Sequence, residues 1–449
     1  MRLKGLIFSL FCLYSVAPIK PGIATEIHID ALNKFVNELL PVINDQIKQI
    51  SIDDEIRLKE ITVKKSKMTI EPLKEEDIFI ERAEADHFHI ICRNVMFVLD
   101  NDVDVHWGIL KSAGTVNTSG RIEKTTTKVT FKPFDKHDPR PYMDFKVEGI
   151  EIYPSNWNIH VDVKYIPNFI INFIINIFKS TILEKVLHEL IHTINDKAEV
   201  EFNKRIHAMY PLQVDGPYNA SVVSSLTESP LILNNSIAVE ADGTFFDTNE
   251  GYKRTSEPDK LPLNQGDAHL IDIFVSEYSA NGLVKALFDK KITLKHGFVD
   301  LSLRSLQLED AISFHQHKIV LRDFNFTGQL KIGSILSSLE ASVSGAFILG
   351  RYDPERRTIV IQVEDIEFDK FVLTSDLGIL NTFSYMIKLF VQVLLRLLHT
   401  FEVKLPNLHL PYSVDVYELE TTIYNKSLKL GVDFNVKQFM KNVMLNNSP

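Results

Sequence analysis

Cysteine is nearly absent from the sequence, which holds only Cys12 and Cys92 among 449 residues. Because Cys12 lies in the N-terminal leader described below, the mature chain keeps one cysteine and cannot form an intramolecular disulfide. The fold must therefore depend on burial of apolar side chains, which a chain of this length can supply as two domains.

Long apolar runs are also absent after the leader, since none reaches the roughly 18 uninterrupted apolar residues that a membrane-spanning helix needs. Residues 1–24 place Arg2 and Lys4 before a short apolar run and end in small residues, which predicts a signal peptide. We therefore expect a secreted, extracellular protein that begins at Thr25. Sequons of the type N-x-[ST] predict glycosylation at Asn117, Asn219, Asn234, Asn325 and Asn425, and a sixth sequon lies at Asn446.

An excess of positive charge is absent as well, because the formal net charge is −10. Residues 25–250 carry 24 Lys and Arg against 36 Asp and Glu, which argues against nucleic acid as a partner. One local exception covers residues 111–140, with seven basic and three acidic residues. This stretch is either a solvated face of a sheet or a contact for anionic surfaces.

Catalytic motifs are missing apart from HELIH at residues 188–192, an H-E-x-x-H pattern that in a helix places His188 and His192 one turn apart. A catalytic zinc ion needs a third protein ligand. The extended motif would place glycine and histidine where Asn195 and Ala198 stand. Both histidines also fall on the polar side of an amphipathic helix. We therefore reject a zinc peptidase and predict no enzyme, no metal site and no cofactor.

Periodicity predicts a helix, a run of strands, a second helix and more strands, and then the same order again. The expected domains are residues 25–250 and 268–449, joined by a polar linker at 251–267. The second helix begins near Ile166 and is apolar on nearly every side up to Phe178, with asparagines at every fourth position. A helix of that kind needs an apolar surrounding, which is either a deep core or the wall of a lipid cavity.

Three stretches carry a resemblance to a known family: SVVSSLTESPLILNNSIAVEADGTFFD (221–247), IFVSEYSANGLVKALFDKK (273–291) and LPNLHLPYSVDVYELETTIYNKSLKLGVDF (405–434). Together with the order of elements, they resemble the family of bactericidal/permeability-increasing protein, lipopolysaccharide-binding protein and the plasma lipid-transfer proteins. The resemblance implies an α+β fold, an elongated boomerang of two pseudo-repeated barrel-plus-helix domains joined by a central antiparallel sheet.

The resemblance also implies a function, namely a secreted lipid-binding or lipid-transfer protein with phospholipid acyl chains in two apolar pockets. Its expected ligand is therefore a bound phospholipid or another lipid, with transient contact to membrane surfaces. The lipid-binding residues implied in this way are Leu32, Phe35, Val36, Leu39, Ile166, Phe169, Ile170, Phe173, Ile174, Ile177, Leu283, Leu287, Phe383, Ile387, Phe390 and Leu394.

The chain departs from the family pattern at two places. Family members join two cysteines of the first half in a disulfide, whereas Cys92 has no partner in the sequence. Members that bind lipopolysaccharide present a lysine-rich hairpin, whereas the matching segment 102–114 holds one lysine, Lys111. A phospholipid or neutral lipid is therefore the expected ligand. The alternative is an antimicrobial or pattern-recognition protein that binds bacterial lipopolysaccharide or anionic membranes.

Overall fold

The structure, a computed structural model, describes residues 20–52, 55–57, 60–84, 87–132, 144–164, 166–179, 199–200, 203–204, 213–215, 220–249, 251–254, 256–263, 269–288, 292–296, 299–307, 311–332, 335–356, 358–375, 384–386, 388–389, 400–404, 416–439 and 441. These residues form several β-sheets with a few helices, as predicted.

The chain divides into two compact units. The larger unit comprises residues 1–28, 133–142 and 210–435, and the smaller unit comprises residues 29–132, 143–209 and 436–449. The domain boundaries at residues 250 and 268 stay a prediction.

The helices are α1 (Ile29–Ile47), α2 (Asn168–Ile177) and α3 (Glu277–Phe288), and a 3-10 turn covers Glu75–Asp77. Among the described residues, no helix combines the length and the apolar character that a membrane span requires. The strands are β1 (Ile23–His28), β2 (Gln49–Ile52), β3 (Ile56–Arg57), β4 (Ile61–Ile70), β5 (Ile78–Glu84), β6 (His87–Trp107), β7 (Leu110–Phe131), β8 (Phe145–Val163), β9 (Gln213–Asp215), β10 (Ala220–Val223), β11 (Leu231–Ile232), β12 (Ser236–Ala241), β13 (Phe245–Asp247), β14 (Ile271–Ser276), β15 (Ile292–His296), β16 (Val299–Gln307), β17 (Ile312–His315), β18 (Lys318–Ile332), β19 (Ile335–Asp353), β20 (Thr358–Ser375), β21 (Thr400–Lys404), β22 (Val416–Tyr424) and β23 (Ser427–Phe434).

The smaller unit contains one antiparallel sheet, here called the N-terminal sheet, in the order β2-β4-β6-β7-β8, with β3 beside β4 and β5 beside β6. Its strands alternate between buried apolar and exposed polar residues, which is the pattern of a sheet with one wet face. In β8, Trp157, Ile159, Val161 and Val163 are at least half-buried, whereas His160 and Asp162 are exposed. The alternation predicted for this strand is confirmed.

Helix α1 is fixed to the N-terminal sheet through asparagine side chains. Asn33 Nδ2 donates to the Ile80 carbonyl at 3.2 Å, and the Ile80 N–H donates to Asn33 Oδ1 at 2.6 Å. Asn44 makes the same pair of bonds with Leu73, at 2.9 and 2.7 Å. These bonds satisfy backbone groups of the chain next to the helix, so they determine where α1 lies against the sheet.

The larger unit contains three antiparallel sheets. The six-stranded sheet has the order β11-β12-β1-β14-β23-β22, and a three-stranded sheet has the order β13-β10-β9. The C-terminal sheet has the order β15-β16-β18-β19-β20-β21, with β17 beside β18. Among the described strands each sheet keeps two free edges, so the closed barrels implied by the family resemblance are not found there.

The described part of the predicted linker packs against the larger unit. Arg254 binds Asp242 at 2.9 Å and the Lys20 carbonyl at 2.7 Å. Leu261 is buried together with Ala24 and Phe274. The polar composition of this segment predicts a linker, and within the larger unit an ion pair and a few apolar residues anchor it.

Candidate functional site

Helix α2 carries one deeply buried face in the smaller unit. Ile170, Ile174 and Phe178 follow one another at intervals of four, which places them on one side of the helix, and all three are buried. The asparagines at positions 168, 172 and 176 have the same spacing and are exposed. The helix therefore has an apolar inner side and a polar outer side rather than an apolar surface all round.

The buried side of α2 belongs to a large apolar cluster with the N-terminal sheet. Of the predicted lipid-binding residues, the structure brings Ile170 and Ile174 into this cluster, with Val36, Ile166 and Ile177 half-buried against it. The other members of its buried core are Leu40, Ile61, Val63, Met68, Ile70, Leu73, Ile78, Val95, Phe97, Leu99, Val103, Val105, Val116, Ile122, Val163 and Phe178.

Two other predicted residues of α1 are partly buried but are not members of this cluster. Leu32 and Phe35 are half-buried, and the ring of Phe35 lies 5.7 Å from that of Phe439, centroid to centroid. The side chain of Leu39 lies outside the described part of the structure.

An exposed apolar patch lies next to this cluster at the turn between β6 and β7. Gly108 has a φ of +59° and stands first in the two-residue turn, where a positive φ favours glycine. Ile109, the second turn residue, is 98% exposed, Leu110 is 44% exposed, and Phe169 at the start of α2 is 62% exposed. We call these three side chains and Trp107 the apolar tip.

Trp107 is the residue of the apolar tip that also packs against the buried cluster. Its ring lies edge-on to Phe169, with centroids 6.4 Å apart, and edge-on to Phe173 at 4.7 Å. Trp107 itself packs against the apolar cluster. Apolar side chains therefore continue from an exposed turn into the interior of the unit. The sequence signal for this feature is the pattern WGIL at residues 107–110, in which apolar residues occupy a turn.

The predicted lipid-binding residues of the second half are mostly not described. Leu283 is half-buried in α3. The side chain of Leu287 and residues Phe383, Ile387, Phe390 and Leu394 lie outside the described residues. The HELIH motif, with His188 and His192, lies outside them as well.

Acidic residues pair with two of the five described basic residues in the stretch 111–140. Lys128 lies 3.1 Å from Glu148, and Lys132 lies 2.8 Å from Glu199. The hydrogen bond with Glu199 raises the pKa of Lys132, and the same bond lowers the pKa of Glu199. Arg121 donates to the side chain of Asn94. Exposed pairs of this kind reduce the positive potential that an anionic surface would meet.

Cys92 is a free thiol that packs against the apolar cluster. Burial raises the pKa of Cys92 to about 11. Because the thiolate is the reactive form, this cysteine is inert at neutral pH.

The described sequons differ in exposure. Asn117, Asn234 and Asn425 are exposed, and Asn325 is half-buried in β18. Asn219 and Asn446 lie outside the described residues. Glycosylation stays a prediction at all of them.

No protein-family model matches the chain, and no curated protein sequence matches it. Among solved structures, the chain is similar to a lipopolysaccharide binding protein with 12% sequence identity and a TM-score of 0.44, over 93% of this chain and 99% of that one. It is also similar to P47 from Clostridium botulinum A2, with 11% identity and a TM-score of 0.33, over 92% of this chain and 97% of that one.

Proposed function

We propose that this chain is a lipid-binding protein that takes up the acyl chains of a phospholipid or a related lipid in the smaller unit and exchanges them with membranes. The observation that carries the proposal is the apolar connection from the exposed turn through Trp107 to the buried cluster that contains Ile170 and Ile174. A core made only for stability would not need apolar residues that lead out to an exposed turn.

The energetics of exchange favour such a carrier. Removing an acyl chain from water is worth about 0.8 kcal/mol for each CH₂ group, so a two-chain lipid rarely leaves a bilayer alone. An apolar protein interior offers nearly the same environment as the bilayer. The two gains largely cancel, and the protein can therefore load and release lipid near equilibrium without a chemical step.

The apolar tip supports the transient membrane contact that exchange requires. Exposure of Ile109, Leu110 and Phe169 to water is unfavourable, and insertion of these side chains into the apolar edge of a bilayer removes that penalty. Only three side chains are involved, so the contact is weak and reversible.

On the basis of the sequence, we also propose that the protein is secreted and has no catalytic activity and no cofactor other than bound lipid. We further propose that the larger unit holds a second lipid pocket and that the two halves are pseudo-repeats. The strand order supports the repeat, because the short strand β5 pairs with β6 in the N-terminal sheet and the short strand β17 pairs with β18 in the C-terminal sheet.

Recognition of anionic bacterial surfaces is less well supported, because Lys128 and Lys132 are paired.

Tryptophan fluorescence can test the proposal directly, because the chain has two tryptophans and both pack against the apolar cluster. In the variant Trp157→Phe, Trp107 is the single reporter between the apolar tip and the interior. We would incubate this protein with phosphatidylcholine vesicles brominated on the acyl chains, remove the vesicles by gel filtration, and measure quenching and retained lipid. Strong quenching with one or two lipids retained per protein is the expected result.

Matched variants separate lipid storage from membrane contact. Ile109→Glu with Leu110→Glu should slow loading from vesicles by at least tenfold, because the apolar tip no longer enters the bilayer. Lipid that is already bound should stay bound. Absence of retained lipid and of quenching in the Trp157→Phe protein would contradict the proposal.

A further inference from the structure

A group of buried ionisable residues lies on one face of the six-stranded sheet, in the larger unit. Glu26 and His28 are two residues apart on β1, so their side chains point to the same face. Asp272 on β14 stands directly opposite Glu26 in the strand register. Glu26, His28 and Asp272 are 1%, 5% and 1% exposed. Residues of these types are seldom buried to this extent unless they pair or bind a metal ion.

The hydrogen bonds within this group leave two atoms without partners. His28 Nε2 lies 3.0 Å from Asp272 Oδ2, and Lys429 Nζ lies 3.3 Å from the same oxygen. Because the carboxylate can only accept, Nε2 carries the hydrogen, and in the neutral tautomer of the ring Nδ1 then presents a lone pair. Nδ1 of His28 and Oδ1 of Asp272 are both buried without a hydrogen-bond partner in the described part of the chain. Buried polar atoms of this kind call for an explanation, and a bound ion is one.

The charges in this group also favour a cation. Two carboxylates share one lysine ammonium group among these buried side chains. A buried negative charge without compensation is costly. A cation that binds the free lone pairs of His28 and Asp272 would supply that compensation.

We propose that Glu26, His28 and Asp272 form a binding site for a divalent transition-metal ion of the zinc class. Each residue offers one ligand atom, and with one nitrogen or oxygen chosen from each residue the three atoms lie within 4.8 Å of one another. One imidazole nitrogen with two carboxylate oxygens is a ligand set that zinc accepts, at bond lengths of about 2.0–2.2 Å. Ligands on one ion at those lengths lie about 3.4 Å apart, so the side chains need to move inward by about 1 Å.

In this site the ion joins two neighbouring strands that are distant in sequence. His28 and Asp272 are 244 residues apart, and both lie in the six-stranded sheet of the larger unit. Metal binding therefore stabilises that sheet. None of its three ligands belongs to the HELIH motif or to the proposed lipid site, so its test does not depend on either.

The experiment uses the chain from Lys20 onward, which keeps all of β1. The protein is stripped of metal with a chelator and titrated with Zn²⁺ by calorimetry and with Co²⁺ by visible absorption. We expect one equivalent of metal. Binding should weaken at least 100-fold in both His28→Gln and Glu26→Gln. It should be unchanged in His188→Ala with His192→Ala, and in His87→Gln, which alters a buried histidine of the smaller unit.

X-ray absorption on the zinc-loaded wild-type protein gives a result that does not depend on how the variants fold. One imidazole with oxygen ligands is expected. Two imidazoles, or loss of binding in the His188 and His192 variant, would assign the metal to HELIH and overturn the proposal. Absence of stoichiometric binding to the wild-type protein would also overturn it and leave Lys429 as the cation of the group.

Discussion

The six-stranded sheet of the larger unit buries Glu26, His28, Asp272 and Lys429, whereas the N-terminal sheet of the smaller unit buries mainly valine, leucine, isoleucine and phenylalanine. Both sheets are antiparallel and both belong to compact units. The first depends on charges that must stay paired, and the second depends on the fit of apolar side chains. The two units should therefore respond differently to substitution and to pH.

One arrangement is shared by the two units. Asn33 in α1 bonds both backbone groups of Ile80, and Asn281 in α3 bonds both backbone groups of Ile312. Each asparagine is the fifth residue of its helix. The Asn281 amide also donates to the Glu277 carbonyl at 2.9 Å. The same device fixes a helix to a short strand in both units, although the groups buried around it differ.

Lys429→Met should cause the largest loss of stability in the larger unit. It removes the ammonium group beside Asp272 Oδ2 and leaves a buried carboxylate without that cation, which costs about 3–5 kcal/mol. Denaturant titration of the metal-free protein, with hydrogen exchange of β14 and β23 as a local probe, measures the effect. Lys370→Met is the matched control, because its exposed pair with Glu340 is worth about 1 kcal/mol or less. A loss below about 1 kcal/mol for Lys429→Met would show that its ion pair does not stabilise the sheet.

Ile174→Ala should cause the largest loss in the smaller unit. The side chain is fully buried among apolar residues, so its truncation leaves a cavity and costs about 2–5 kcal/mol. Hydrogen exchange of α2 and β7 should report the loss, and exchange in β14 should not change. Phe169→Ala on the same helix should change stability by less than about 0.5 kcal/mol, because that ring is mostly exposed. Equal effects of the two substitutions would mean that the buried face of α2 contributes little.

Much of the smaller unit, with its apolar cluster, could be predicted from the sequence. The alternation of β8 and the presence of Ile170 and Ile174 on one helix face follow from local periodicity, which needs no knowledge of distant partners. The exposed position of Phe169 could not be predicted, because a helix with apolar residues on most sides does not show which side faces water.

The buried charges could not be predicted for a different reason. The alternation in β1 places Glu26 and His28 on the same face as Ala24, but carboxylate and imidazole side chains usually lie in water. Their burial is possible because of Asp272 on β14, which pairs with β1, and Lys429 on β23, which pairs with β14. Both strands are distant from β1 in the sequence. Without a prediction of strand pairing, nothing in the local sequence indicates this. The same limit applies to Asn33, whose partner is 47 residues away.

Replacement of Asn33 or Asn281 should lower the stability of its own unit by a moderate amount. Asn33→Ala leaves the Ile80 N–H and carbonyl without their partners and should cost about 2 kcal/mol. Asn281→Ala loses a third bond and should cost slightly more. Hydrogen exchange at β5 and β17 locates each effect, and Asn172→Ala on the exposed side of α2 is the control. If only one of the two substitutions destabilised its helix, the arrangement would not be equivalent in the two units.

The smallest predicted effect is a difference between the units in how stability depends on pH. It arises from two histidines whose pKa values shift in opposite directions. Burial disfavours the charge on His269, but hydrogen bonds to Asp433 at 2.9 Å and Glu420 at 3.0 Å outweigh it and raise its pKa above 6.5. In the smaller unit, burial and the neighbouring His87 lower the pKa of His89 below 6.5.

The signs of the two pH effects follow from these shifts. The stability from His269 is fully present below pH 6.5, its unfolded pKa, and is lost as the pH rises through the higher folded value. His89 prefers the neutral form in the folded state, so its contribution is present above pH 6.5 and is lost as the pH falls toward the lower folded value. Between pH 5.5 and 8.5, hydrogen exchange corrected for intrinsic rates should show β14 and β23 losing protection while β5 and β6 gain it. His269→Gln should remove the first trend and His89→Gln the second. If protection changed in the same direction in both regions, other titrating groups would control the pH dependence of both units. The contrast between the charged sheet and the apolar sheet would then not extend to pH dependence.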